Sequence, residues 1–344
     1  MRAAPIDAEA PTPAPRRSSI VRSIRCVDHG HGRDFGAGGA GRSAESRRRD
    51  LLLLAGTVLA SSATGSAGRA EASDVAADAP RQPSTSYGQE GEVGGQSGAG
   101  LTQFNFSRPG PLTPVRLPKL EHTCAGCFPQ CVADRCLIRL DVLYPKGPLV
   151  EGRPYPLAII TGGFLVPSEE YLSYAERLAS WGYVAVLYDK IESPVDALDD
   201  IVSAEFIKEI IDWAGVDPLV SQVADNRRVY LVGHSRGGKV SVLAAQDDSR
   251  VVALCLIDPV DNTVYAPLAP GFPSAIAALN SVQETVPMAV IGADLAHDCA
   301  PEESNYKRFF DAAQSPAWEV VLKDTGHFQF LDRSTAVEKL VCVT

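Results

Sequence analysis

Val229-Tyr230-Leu231-Val232-Gly233-His234-Ser235-Arg236-Gly237-Gly238-Lys239 is the stretch that decides the fold. An apolar run that reads as a strand (228–232) ends in Gly-x-Ser-x-Gly, and a helix pattern begins at once (236–245). That placement is the context of a nucleophile elbow, a strand-to-helix turn that presents one serine above a sheet. The turn is tight enough that a Cβ at Gly233 or Gly237 would collide with the neighbouring strand and helix. Ser235 is therefore expected in a strained backbone conformation. The same letters also resemble a phosphate loop, Gly233 to Gly238-Lys239, but that loop needs Ser or Thr next, and Val240 stands there.

Outward from the elbow, strand and helix patterns alternate. Strands are expected at 137–144, 156–161, 183–188, 251–257, 287–292 and 318–322, and helices at 169–181, 197–214, 306–313 and 335–341. Ser168 is expected to cap the helix at 169, and Gly182 to end it. Most strands are apolar along their whole length, which describes a mainly parallel sheet with helices on both faces. This is the α/β-hydrolase fold, expected over residues 124–344.

A serine hydroxyl needs a base, and the base needs an acid to orient it. In this fold they follow in the order Ser, Asp/Glu, His. Two histidines lie beyond Ser235. His327 sits in a loop directly after the last strand, where the base belongs, and is preferred to His297. His234 points away from the serine in an elbow and reads as structural. Asp258, Asp261, Asp294 and Asp298 are the candidate acids, with Asp258 and Asp294 at strand ends; spacing does not choose between them. The oxyanion donors are expected to be the main-chain N–H of Arg236 and that of Gly163 or Phe164, in the loop after strand 156–161. No cofactor and no metal is expected at this site.

The chain has 344 residues and a net charge of -10, a balance that argues against a nucleic-acid partner. The charge is uneven. Residues 1–72 carry 11 Lys/Arg against 7 Asp/Glu, the remainder 21 against 35, so a basic head precedes an acidic body. Residues 1–49 have transit-peptide composition. Arg47-Arg48-Arg49-Asp50 followed by an apolar run (51–60) and Ala70-Glu71-Ala72 then describes a translocation signal. Residues 1–72 are thus expected to be a bipartite targeting presequence, which points to the chloroplast and further to the thylakoid lumen. Residues 73–123 read as a disordered Gly/Ser/Pro-rich linker. No run of 18 uncharged apolar residues exists, so no full transmembrane helix is expected. Cys124, Cys127, Cys131 and Cys136 read either as a zinc or iron–sulfur site on a compact loop or as two local disulfides; the run lacks the paired spacing of a zinc site, and in a translocated protein the disulfides are preferred, in any of three connectivities. Cys255 reads as a buried apolar residue, while Cys299 and Cys342 have no assignment.

The elbow, with Arg236 after the serine and Lys239 after the glycines, resembles the lipase motif of the chlorophyllase family. Three other stretches are similar to that family: Ile257-Asp258-Pro259-Val260-Asp261, Cys299-Ala300-Pro301 with Asn305-Tyr306-Lys307-Arg308-Phe309, and Gly326-His327-Phe328-Gln329-Phe330-Leu331-Asp332. The resemblance covers roughly 137–344. It implies Ser235 as nucleophile, Asp258 as acid ahead of Asp294, and His327 as base. It also implies hydrolysis of the phytyl ester of chlorophyll to chlorophyllide and phytol, with peripheral association with the thylakoid membrane. Thr161-Gly162-Gly163-Phe164 stands where the family has His-Gly-Phe. A general carboxylesterase or polyester hydrolase on the same triad is the first rival reading. The second is a non-catalytic pigment-binding protein on a hydrolase fold.

Overall fold

The computed structural model describes residues 106–129, 131–149, 152–281, 286–295, 299–314 and 316–333. The presequence, most of the expected linker, His297, Asp298 and the helix at 335–341 lie outside them.

Nine strands form one mixed sheet: β1 (Pro114–Arg116), β2 (Leu120–Thr123), β3 (Leu137–Pro145), β4 (Tyr155–Thr161), β5 (Val184–Lys190), β6 (Ala224–His234), β7 (Val251–Ile257), β8 (Met288–Ala293) and β9 (Ala317–Leu322). Their order is β1-β3-β5-β4-β6-β7-β8-β9, with β2 also on β3. From β5 across to β9 every pairing is parallel; β3 is antiparallel to β5, and β1 and β2 are antiparallel to β3. Among the described residues five α-helices accompany them: α1 (Leu172–Ser180), α2 (Asp200–Val216), α3 (Arg236–Ala245), α4 (Ala275–Ser281) and α5 (Tyr306–Ala312).

Side chains alternate across a strand, so each strand feeds two cores. Leu157 and Ile159 of β4, Val184 and Val186 of β5 and Leu231 of β6 pack with Phe206, Ile210, Val240 and Phe309 from the helices of one face. Their neighbours Ala158, Ile160, Ala185, Leu187, Tyr230 and Val232 pack on the other face with Tyr174 and Leu178 of α1, and with Phe330. Helices thus lie on both faces, as expected. Strand β4 sits between β5 and β6, so the chain leaves it first to one side and then to the other. That reversal opens a crevice at the carboxyl ends of the strands, the usual ligand position in open α/β sheets.

Two expectations need correction. Residues 114–116 and 120–123, read as linker from composition, are strands β1 and β2; β3 needs partners on its outer edge and takes them from there. Ser168 does not cap a helix: its N–H and hydroxyl both bind the Asp189 carboxylate (2.7 and 2.8 Å), and a 3-10 turn precedes α1. Gly182 does end α1 with φ +93°. The cysteine cluster closes as Cys124–Cys127 and Cys131–Cys136, packed into the core beside Trp213 of α2. His122 ties this segment to Glu209 of α2 at 2.6 Å.

Candidate active site

The adjacent strands β4, β6 and β7 bring Gly163, Ser235 and Asp258 to their carboxyl ends, and the loop after β9 brings His327. β6 runs straight into Ser235, which has φ 56° and ψ -127°, the strained geometry expected of an elbow. A Cβ on Gly233 would drive into the main chain of Gly237, and one on Gly237 into the carbonyl of Thr161 at the end of β4. Both positions therefore need glycine for the close approach of strand, turn and helix.

Asp258 directly follows β7 and is wholly buried with φ 41°. Its N–H donates to the Ile291 carbonyl of β8 (2.6 Å), and its Oδ1 accepts from Ala293 N–H (3.0 Å). These bonds leave Oδ2 to face His327 Nδ1, at 2.6 Å. The other ring nitrogen, Nε2, lies 2.9 Å from Ser235 Oγ. A carboxylate accepts from Nδ1–H, which leaves Nε2 as the acceptor aimed at the hydroxyl proton. The residues so joined are 92 and 69 positions apart in the chain.

Of the other candidate acids, Asp294 and Asp261 are occupied elsewhere, and Asp298 lies outside the described residues. Asp294 Oδ1 accepts from the N–H of Thr325 (3.1 Å), bracing the loop that carries His327 from outside. Asp261 caps α4, accepting from the N–H groups of Ala275 (3.1 Å) and Ile276 (3.2 Å). The non-glycine backbone at Asp258 had no distinguishing sequence signal, since Asp-Pro is also a common turn.

After the end of β4, Gly163 lies against Ser235: a Cβ there would sit 3.1 Å from Ser235 Cβ. The N–H of Gly163 donates to Tyr171 Oη at 3.0 Å. Of the two residues expected to supply the second oxyanion donor, Gly163 is thus already engaged. Among the described residues no acceptor meets the N–H of Phe164 or that of Arg236, the first residue of α3. The first N–H groups of a helix lack intrahelical partners and favour negative charge.

The side chain of Arg236 is not free to meet substrate. It bonds Asp200 (2.6 Å), Glu192 (2.9 Å) and the Leu198 carbonyl, and its guanidinium lies 5.4 Å from the Phe164 ring centroid and 5.8 Å from that of Phe272. Burial pushes Glu192 upward, yet Lys190 and Arg236 outweigh it and hold this carboxyl below the usual range. Lys239, also buried, pairs with Asp200 (2.8 Å) and Asp261 (3.5 Å). The lysine that mimics a phosphate loop in the sequence is therefore a structural cation.

His234 is buried and hydrogen-bonded through both ring nitrogens, and its partners carried no sequence signal. One ring nitrogen meets Tyr171 Oη at 2.7 Å and the other the main-chain carbonyl of His327 at 3.1 Å. Tyr171 reads in sequence only as part of an apolar helix face.

A model of the chlorophyllase family matches residues 141–343, more than half of the chain. The chain belongs to the chlorophyllase family. The matched stretch of this chlorophyllase-family chain includes Ser235, Asp258 and His327, and begins beyond the four-cysteine cluster. Among curated relatives it is 34% identical over 209 residues to "Chlorophyllase-2" of Arabidopsis thaliana, covering 54% of this chain and 64% of that one. It is 25% identical over 230 residues to "Chlorophyllase type 0" of Chenopodium album, covering 56% and 59%. With "Chlorophyllase-1" of Arabidopsis thaliana the identity is 28% over 216 residues, covering 54% and 61%. The chain thus spans about three fifths of the length of the curated relatives it matches.

Proposed function

We propose that the chain is a chlorophyllase-type serine esterase, with Ser235 as nucleophile, His327 as base and Asp258 as the acid that orients it. The observation that carries this reading is the unbroken line from Ser235 Oγ to His327 Nε2 (2.9 Å) and from His327 Nδ1 to Asp258 Oδ2 (2.6 Å), set on a strained elbow.

The geometry supports the following steps. His327 Nε2 takes the hydroxyl proton as Ser235 Oγ attacks the ester carbonyl. The carbonyl oxygen gains a negative charge, and the N–H groups of Arg236 and Phe164 receive it. Asp258 stabilises the imidazolium that forms. His327 then hands its proton to the departing alcohol, the acyl group stays on Ser235, and water releases the acid by the same path in reverse. The chemistry uses no metal of the protein's own; a magnesium in the pigment belongs to the substrate.

The family and the rim of the crevice support this substrate class. Phe164 and Leu165 after β4, Val264, Tyr265 and Leu268 in the segment between β7 and α4, and Leu295 after β8 expose apolar surface around the strand ends. An ester with a long prenyl alcohol, such as the phytyl ester of chlorophyll, suits such a rim. The same surface fits peripheral contact with a thylakoid membrane. The basic head and the two successive targeting patterns support a chloroplast address and, beyond it, the thylakoid lumen. Residues 1–72 act in this reading as presequence and 124–344 as the catalytic domain, with β1 and β2 as its edge.

The deciding experiment incubates the purified protein and its Ser235→Ala variant with chlorophyll a and, in parallel, with p-nitrophenyl butyrate. Chlorophyllide and phytol formed by the parent alone support the proposal. Turnover of the short ester alone indicates a general carboxylesterase. Tight pigment binding without turnover, unchanged in Ser235→Ala, indicates a pigment carrier.

A further inference from the structure

A second hydrogen-bonded line crosses the site behind the reacting atoms. It starts at Gly163 N–H, passes through Tyr171 Oη (3.0 Å) and His234 Nδ1 (2.7 Å), and leaves from His234 Nε2 to the carbonyl oxygen of His327 (3.1 Å). Tyr171 and His234 are both 1% exposed.

The direction of every bond in this line is fixed. A carbonyl only accepts, so His234 Nε2 carries a proton. Burial, with His327 nearby, pushes the His234 pKa well below the usual imidazole value and keeps the ring neutral. Nδ1 then has only a lone pair to offer, and the Tyr171 hydroxyl must donate to it. That leaves Tyr171 Oη as the acceptor for Gly163 N–H.

Both ends of the line hold something the reaction needs. The carbonyl of Gly163 is pinned as well, accepting from Val166 N–H at 3.2 Å. That carbonyl and the N–H of Phe164 belong to one planar peptide unit. Fixing Gly163 on both sides therefore fixes the direction of the Phe164 N–H. At the other end the His234 ring lies under the His327 imidazole, with centroids 4.7 Å apart and planes tilted by 34°. The same ring that bonds the His327 carbonyl thus supports its side chain.

We propose that Tyr171 and His234 are positioning residues that tie the oxyanion loop to the main chain of the base, holding Phe164 N–H and His327 in one register. This rests on the esterase reading of Ser235, His327 and Asp258. Neither residue touches substrate in this arrangement. Their effect falls on the transition state, because oxyanion and imidazolium both develop there.

Tyr171→Phe tests it by removing a single oxygen. The expected result is a kcat lowered about 10- to 100-fold, short of the about 10²- to 10³-fold that follows outright loss of an oxyanion donor. KM should change by less than about twofold, since ground-state binding is spared. Rates are taken with chlorophyll a and p-nitrophenyl butyrate and normalised to active sites titrated with a fluorophosphonate. A trifluoromethyl ketone, which forms a tetrahedral adduct, should lose affinity in proportion to kcat/KM. A merely structural role would lower the melting temperature and leave kcat per titrated site unchanged, and that result overturns the proposal. Should Tyr171→Phe fail to fold, His234→Asn carries the test. It keeps an acceptor near Nδ1 for Tyr171 but cannot reach the His327 carbonyl. A reduced kcat with parental KM supports the link, and an unchanged kcat overturns it. Ser235→Ala separates the two levels of the argument: if it retains turnover, the esterase reading fails first; if it is inactive while Tyr171→Phe is normal, only the positioning line fails.

Discussion

Asp258→Asn should cost about 10⁴ in kcat, and the structure supplies the reason. Asp258 Oδ1 accepts from Ala293 N–H at 3.0 Å, a bond that an amide can keep only with its oxygen on that side. The NH₂ group must then face His327 Nδ1, where Oδ2 now lies 2.6 Å away. Two donors cannot meet, so Nδ1 gives up its proton and Nε2 carries it instead. The nitrogen 2.9 Å from Ser235 Oγ would then be a donor, and the serine would have no base. At about 1.4 kcal/mol per factor of ten, the loss is about 5–6 kcal/mol of transition-state stabilisation. Asp294→Asn is the matched control, because its carbonyl oxygen can still accept from Thr325 N–H. Among the described residues its loss is a 3.7 Å pairing with the 80%-exposed Lys323, worth at most about 1 kcal/mol of stability. The assay is steady-state hydrolysis of chlorophyll a by both variants, with circular dichroism to verify folding. An Asp258→Asn rate within about tenfold of the parent, or a larger loss in folded Asp294→Asn, would refute the tautomer argument.

Ser235→Ala should lower kcat on the order of 10⁶-fold while leaving pigment binding measurable by fluorescence quenching; comparable turnover would remove Ser235 from the chemistry. Gly237→Ala should reduce stability by about 1–3 kcal/mol, or prevent folding, because its new methyl meets the Thr161 carbonyl; an unchanged thermal midpoint would contradict the packing at the elbow. Lys239→Ala should destabilise by about 3 kcal/mol in urea unfolding, since it strips one counter-charge from the buried Asp200; an unaltered midpoint would mean the cluster is balanced without it. Burial pushes the Cys255 thiol up to about 12, so below that pH it stays protonated and unreactive. Iodoacetamide at pH 8 should leave the Cys255 peptide unmodified in native protein and alkylate it after denaturation; native labelling would show that β7 opens.

Much of the fold was legible because local chemistry alone produces its signals. Apolar runs over β4 to β8 mark strands buried on both faces, and the glycines around Ser235 mark a turn that only they can make. The edge was not legible. Residues 114–123 have the composition of a linker, and what makes them strands is the unpaired backbone of β3. Ser168 is a reasonable cap by sequence, but the Asp189 carboxylate at the end of β5 competes for it and wins.

The sequence by itself determined the elbow, the identity of the serine and the loop from which the imidazole comes, because each depends on residues next to one another in the chain. Only the tertiary structure set Asp258, which the resemblance preferred to Asp294, against His327, bonded the N–H of Gly163 to Tyr171 while that of Phe164 meets no acceptor among the described residues, and joined Tyr171 to His234. Those outcomes depend on the parallel register of β4, β6, β7, β8 and β9, which brings groups 63 to 92 residues apart within hydrogen-bond reach. Each contact joins segments whose sequences carry no mark of one another.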